Sequence, residues 1–146
     1  MRHHNIPASY LVLKRDNKFL LSKRINTGYK DGMYSLVAGH VEDGETFTDG
    51  LIREAKEEAG LKILANSAKM VHLMHRRSQH DDSQRVDVFF LIENFDGEPK
   101  NLEPEKCEKL EWFSIADLPE NTIPYIRRAL ENITKNILYS EHGWKE

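Results

Sequence analysis

Along the chain, short apolar runs of strand length alternate with two segments in which apolar residues recur every three to four positions. Ala8 to Lys14 is apolar and suited to a strand. Asp16-Asn17 is a turn signal, and Phe19 to Lys23 resumes the strand, so the pattern predicts a hairpin. Asn26 to Gly32 (NTGYKDG) is dense in turn formers and predicts a loop. Ser35 to Val37 predicts a short strand entering Gly39, and Val41 to Glu45 (VEDGE) a second loop. The period then changes. Phe47, Leu51, Ala55 and Ala59 form a stripe every four residues, and Thr46 with Asp49 resembles a capping box, so a helix is predicted over 46–59. Gly60 stands where a C-cap glycine belongs. Gly50 is unexpected inside a helix, where glycine costs roughly 1 kcal/mol relative to alanine, and it suggests close packing.

Leu61 to Leu64, Lys69 to His75 and Arg85 to Glu93 predict further strands. In the last of these, both alternating sets are largely apolar, so both faces are expected to be buried. Leu110 to Phe113 predicts another short strand. A final helix is predicted from Thr122 to Tyr139, with Ile123, Ile126, Leu130, Ile133 and Ile137 on one face and Pro124 in its first turn. That face reads as packed on the core, with a homodimer formed through it as the alternative. The elements together predict an α/β fold, a mixed β-sheet with helices packed on it.

With 146 residues, the chain is expected to form one domain over 1–146, long enough to bury a core. Charged residues make up 31% and hydrophobic residues 39%, the balance of a globular protein, not a disordered one. A formal net charge of -3 argues against a polymeric nucleic acid or a membrane surface as partner, since both favour basic patches. The only cysteine, Cys107, rules out an internal disulfide and suits a reducing, cytoplasmic setting. Cys107 reads as a buried small hydrophobe before it reads as a nucleophile. His3 and His4 read as an ordinary chain terminus.

The helix over 46–59 carries Arg53-Glu54-Ala55-Lys56-Glu57-Glu58. At 3.6 residues per turn, Glu54, Glu57 and Glu58 share one face, where like charges repel by roughly 0.2–0.5 kcal/mol per pair. Two readings are open at this point, a solvated acidic face or a divalent-cation site. Magnesium favours carboxylate oxygens and bridges to substrate phosphates, which is what the second reading would supply.

The residues upstream form a longer pattern. Gly39, Glu45, Arg53, Glu54, Glu57, Glu58 and Gly60 stand at the spacing G-x5-E-x7-R-E-x-x-E-E-x-G, followed by aliphatic Leu61. With this pattern the sequence resembles the Nudix (MutT-type) hydrolases. The preceding hairpin, the following strands and the Trp112-Phe113…Asp117-Leu118-Pro119 stretch extend the resemblance to a whole Nudix domain, an α/β/α sandwich. The resemblance implies a magnesium-dependent hydrolase, with manganese as a substitute, that cuts a phosphoanhydride bond in a small nucleotide. It implies a metal held by Glu54, Glu57 and Glu58, with the Gly39 carbonyl facing it, and one glutamate acting as a base. Glu57, Glu54, Arg53 and Glu45 are the expected catalytic set. Arg53 can orient Glu57 one turn away, and Glu45 closes the loop where negative charge is favoured at a helix N-terminus. A structural loop–helix ion pair between Glu45 and Arg53 is an equal reading.

Two departures from the family pattern stand out. Ala55 replaces a larger aliphatic residue, and Val37-Ala38-Gly39-His40 replaces a Pro-Gly-Gly run. His40 reads as a loop histidine, with a phosphate or metal contact as the alternative. His72, His75, Arg76, Arg77 and His80 form a basic cluster that reads as a solvated loop or a pocket wall. Arg76 and Arg77 are the candidate substrate-binding pair, able to balance a phosphate tail. Glu105 and Glu108 could add a carboxylate to the metal site but read first as surface. Trp112 and Phe113 read as core or pocket rim. Of the family's substrates, each a nucleoside diphosphate linked to another group, a nucleoside triphosphate cleaved to monophosphate and pyrophosphate is the first expectation. ADP-ribose or another diphosphate is the second. A nucleotide-binding sensor without turnover is the rival class, disfavoured because every expected carboxylate is present.

Overall fold

The computed structural model describes residues 2–145. Eight strands and two helices follow one another as β1 (Ile6–Arg15), β2 (Lys18–Arg24), β3 (Tyr34–Ser35), β4 (Ala38–His40), α1 (Phe47–Ala59), β5 (Lys69–Arg77), β6 (Gln84–Ile92), β7 (Cys107–Phe113), α2 (Pro124–Thr134) and β8 (Tyr139–His142). The strand order is β3-β2-β1-β6-β5-β8, with β4 also paired to β1 and β7 to β2. The sheet is mixed. β1 runs parallel to β6 and β5 parallel to β8, and the other pairings are antiparallel.

Strand alternation builds the layers. Side chains of successive strand residues point to opposite faces. On β1, Tyr10 and Val12 join Phe89 of β6 and Ile126, Ala129, Leu130 and Ile133 of α2 in one core. Leu11 and Leu13 join Val88, Phe90 and Ile92 of β6 and Leu51, Ala55 and Ala59 of α1 in the other. The central strands are thus apolar on both faces because each face carries a helix, which gives the expected α/β/α sandwich. The α1 stripe is as predicted, and Ala55 and Ala59 are fully buried against the sheet. The capping box between Thr46 and Asp49 is formed, and Gly60 closes the helix in the left-handed conformation.

The sheet opens where the functional cleft lies. β1 and β2 pair only beside their turn, at Lys14↔Phe19 and Arg15↔Lys18. Beyond that point β1 takes β4 as its partner, whereas β2 takes β3 and β7. Of the predicted strand at 35–37, Ser35 belongs to β3, and Leu36 and Val37 form the crossing to β4.

Two further expectations are corrected. Leu61 to Leu64 is no sheet strand. Leu61 and Ile63 are buried, but backbone pairing is limited to a bridge between Lys62 and Asp96, and a 3-10 turn follows at Ala65–Ser67. The last helix is shorter at both ends than 122–139. Ile123 is its N-cap, Pro124 its first residue, and Asn136 has φ of 58°, which ends helical geometry. Tyr139–His142 then adds to the sheet edge as β8, and Ile137 is exposed. The sequence does not distinguish these two fates because Ile137 continues the apolar period of α2.

Candidate active site

A cleft of about 460 Å3 lies between the diverging strands, lined by residues of all the strands but β8, of both helices, and of the loops at 27–29 and before β7. Gly39, Glu54, Glu57 and Glu58 lie along one part of its wall, together with Glu103. Helical spacing puts the three α1 carboxyls on one face, and β4 brings Gly39 against them. The part played by Gly39 is closeness, since its φ is not positive. A Cβ at this position would collide with the Glu54 carboxyl.

Arg53 organises the carboxylates. Its Nε donates to Glu45 Oε2 at 2.7 Å and its Nη2 to Glu45 Oε1 at 3.0 Å, a two-pronged pair between loop and helix. Nη1 reaches Glu54, and Glu42 and Glu57 more loosely, both at 3.4 Å. Nη2 also donates to the His40 carbonyl at 3.0 Å, which ties α1 to the end of β4. The loop–helix ion pair expected of Glu45 and Arg53 is therefore formed, while the contact to Glu57 is the weaker one. Arg53 and a backbone N–H from Glu42 hold the Glu45 carboxyl down to about 2. Four carboxylates surround a single guanidinium, so negative charge is left over.

Glu58 is the inner member of the set. Burial and the adjacent Glu54 carboxylate push its carboxyl up to about 10. Its Oε2 is buried and has no hydrogen-bond partner. Glu57, by contrast, lies on the rim with its side chain half exposed. Among the described residues no three Asp, Glu, His or Cys side chains already stand in metal-ligand geometry. The donor set is nonetheless suited to a hard divalent cation. It is all oxygen, it carries excess negative charge, and it contains an unpartnered buried carboxylate oxygen beside a glycine with no side chain to block access.

The remaining candidates separate. Arg76 lines the cleft, but it is buried and its Nε pairs with Asp87 Oδ2 at 2.6 Å. Arg77 pairs with Asp82 at 2.8 Å and lines a smaller neighbouring cavity that Arg76 also borders. Of the two arginines, Arg76 is the one on the cleft wall. His72 is not solvated. It is fully buried, with its ring nitrogens 2.7 Å from the Ile137 carbonyl and from Ser140 Oγ, and it fastens β8 to β5. His75 packs against Trp144. His80 lies edge-on to Tyr29. The His40 ring meets Arg85 Nη1 at 3.1 Å. Glu105 is exposed and Glu108 pairs with Lys23, so the extra carboxylate at the cleft is Glu103 instead. Cys107 is buried beside Ser22 Oγ. Trp112 lies under Arg15 and Phe113 meets Tyr34 edge to face, and neither lines the cleft. Arg24, Arg85 and Lys106 do line it and were missed. Arg85 opens a predicted strand, and Arg24 and Lys106 fall between the predicted elements; the divergence of β1 from β2 is what gathers them.

A family model for the NUDIX domain matches residues 3–133. An ADP-ribose pyrophosphatase of Methanocaldococcus jannaschii is 34% identical over 90% of this chain and 72% of its own length. An NAD-capped RNA hydrolase, NudC, of Escherichia coli is 26% identical over 77% of this chain, which spans only 40% of that protein. A crystal structure of a MutT NUDIX hydrolase from Burkholderia pseudomallei superposes with a TM-score of 0.80 at 28% identity, over 88% of this chain and 98% of that one. A glycine-floored cleft with three glutamates from one helix turn, inside a domain matched over nearly its whole length, makes this chain a member of the Nudix hydrolase family.

Proposed function

We propose that this protein hydrolyses a phosphoanhydride bond in a nucleoside diphosphate derivative with the help of magnesium, and that Glu54, Glu57 and Glu58, with the Gly39 carbonyl, hold the metal. The observation that carries the reading is the unpartnered, buried Oε2 of Glu58 among carboxylates that Arg53 alone cannot neutralise. Magnesium, or manganese in its place, supplies charge neutralisation at the phosphate oxygens and a bound water of lowered pKa. The chain's own groups do the rest. Glu45 fixes Arg53, and Arg53 fixes the carboxylates and the end of β4. A glutamate of the α1 face takes the proton from the attacking water. Arg85 and Lys106, at the cleft wall, offer positive charge to the phosphates. A reducing, cytoplasmic setting, suited to the single buried thiol, belongs to the same proposal.

An ADP-ribose-type substrate is favoured by the relative that shares 34% identity over most of both chains. A nucleoside triphosphate is the second reading, carried by the cations Arg24, Arg85 and Lys106 that line the cleft. Product analysis separates the two. AMP and ribose 5-phosphate from ADP-ribose, at a much higher kcat/KM than any triphosphate, is the expected result. Pyrophosphate from triphosphates with ADP-ribose untouched supports the second reading. No turnover of either, with nucleotide still bound, leaves the rival sensor class.

A further inference from the structure

The main cleft and the smaller cavity meet at Tyr29, Arg76 and Tyr125, which line both. Arg76 is held from three sides. Its Nε donates to Asp87, its Nη2 lies 3.5 Å from the Tyr10 hydroxyl, and its guanidinium carbon stands 3.8 Å from the centre of the Tyr125 ring. It is 3% exposed, and Nη1 has no acceptor among the described residues. A guanidinium with its charge met by a buried carboxylate is a poor phosphate anchor, since a phosphate would have to compete with Asp87. It remains a rigid hydrogen-bond donor, and arginine has no acceptor to offer, so its ligand must present one. Tyr29, half-buried and edge-on to His80 at 5.0 Å, adds an aromatic surface at the same junction. Aromatic surfaces suit a flat ring, and base–aromatic stacking is sequence-tolerant and strong.

We infer that this junction is the seat of the substrate's nucleobase, with Arg76 Nη1 donating to a ring nitrogen or carbonyl of the base and Tyr29 stacking on it. The inference rests on the proposed hydrolysis of a nucleoside diphosphate derivative, and it adds which part of that substrate meets which wall. A base meets both groups at once, offering a flat ring to Tyr29 and an acceptor atom to Arg76 Nη1, and the test below sets it against the sugar.

The test separates base from sugar and binding from turnover. Calorimetry on the wild-type protein measures AMP, ribose 5-phosphate and the 1-, 3- and 7-deaza forms of AMP, each of which removes one acceptor nitrogen. One deaza form should bind about tenfold more weakly than AMP, the scale of one hydrogen bond. Equal binding of all four would overturn the role of Arg76. In Tyr29→Leu, AMP should weaken about tenfold while ribose 5-phosphate is unchanged. The KM for ADP-ribose should rise by the same factor with kcat within about twofold. Equal weakening of AMP and ribose 5-phosphate, or no change in either, would overturn the stacking. In Arg76→Lys, which keeps a cation beside Asp87, the penalty for the sensitive deaza form should vanish. Should that variant not fold, the wild-type deaza series still decides. A wild type that binds AMP with this pattern but hydrolyses nothing would defeat the proposed function and leave the base seat intact.

Discussion

Arg53 and Arg76 line the same cleft, one from α1 and the other from β5, and their surroundings are inverted. Arg53 is partly exposed and touches four carboxylates, more negative charge than it can meet. Arg76 is buried, with one carboxylate partner, and the sum is close to neutral. The first arrangement leaves a surplus that a divalent cation can take up. The second leaves none, and what remains is a fixed hydrogen-bonding direction. An arginine in a nucleotide cleft is therefore not evidence of a phosphate site until its partners have been counted. Burial pushes the Asp87 carboxyl up against the pull of Arg76, and its Oδ1 is unpartnered, so this pair depends on staying intact.

Removing Arg76 should produce the largest effect on folding. Arg76→Ala leaves Asp87 buried and unpaired, and a loss of about 3–5 kcal/mol is expected in denaturant unfolding. A loss below about 1 kcal/mol would mean that water replaces the guanidinium and that the site is less dry than its burial implies. On the other side of the comparison, Glu57→Gln should barely disturb folding because its side chain is half exposed. It should nonetheless lower kcat by roughly 10²-fold or more, measured at saturating substrate. Unchanged kcat would reduce the α1 face to a solvated one.

The α1 face was legible in the sequence because helical spacing fixes which side chains share a side, and the motif's offsets stay within a single loop and helix. The base of the cleft was not. Arg24, Arg76, Arg85 and Glu103 come together only because β1 and β2 separate after two residue pairs, and no local pattern announces such a divergence. Arg76 and Arg77 read alike as neighbours in a basic run, yet strand alternation sends one inward and the other outward. β8 was hidden because Ile137 and Leu138 extend the apolar period of α2 past Asn136, where only the backbone turn marks the end.

Gly50 gives the smallest expected change. Close packing was its suggested reason, but a Cβ there would lie 3.5 Å from Glu45 Oε1 and from Val41 Cγ2, ordinary contact distances. Gly50→Ala should therefore stabilise the protein by roughly 0.5–1 kcal/mol, through helix propensity alone. A destabilisation would show that the Glu45–Arg53 pair needs that space.

On the proposed function, the surplus carboxylates around Arg53 and Glu58 hold a divalent cation that hydrolysis requires. The most direct measurement is turnover of ADP-ribose and of nucleoside triphosphates by protein stripped with excess chelator, then supplied with magnesium or manganese. No hydrolysis is expected after stripping, with full recovery on addition of either ion. Undiminished hydrolysis in excess chelator would contradict it.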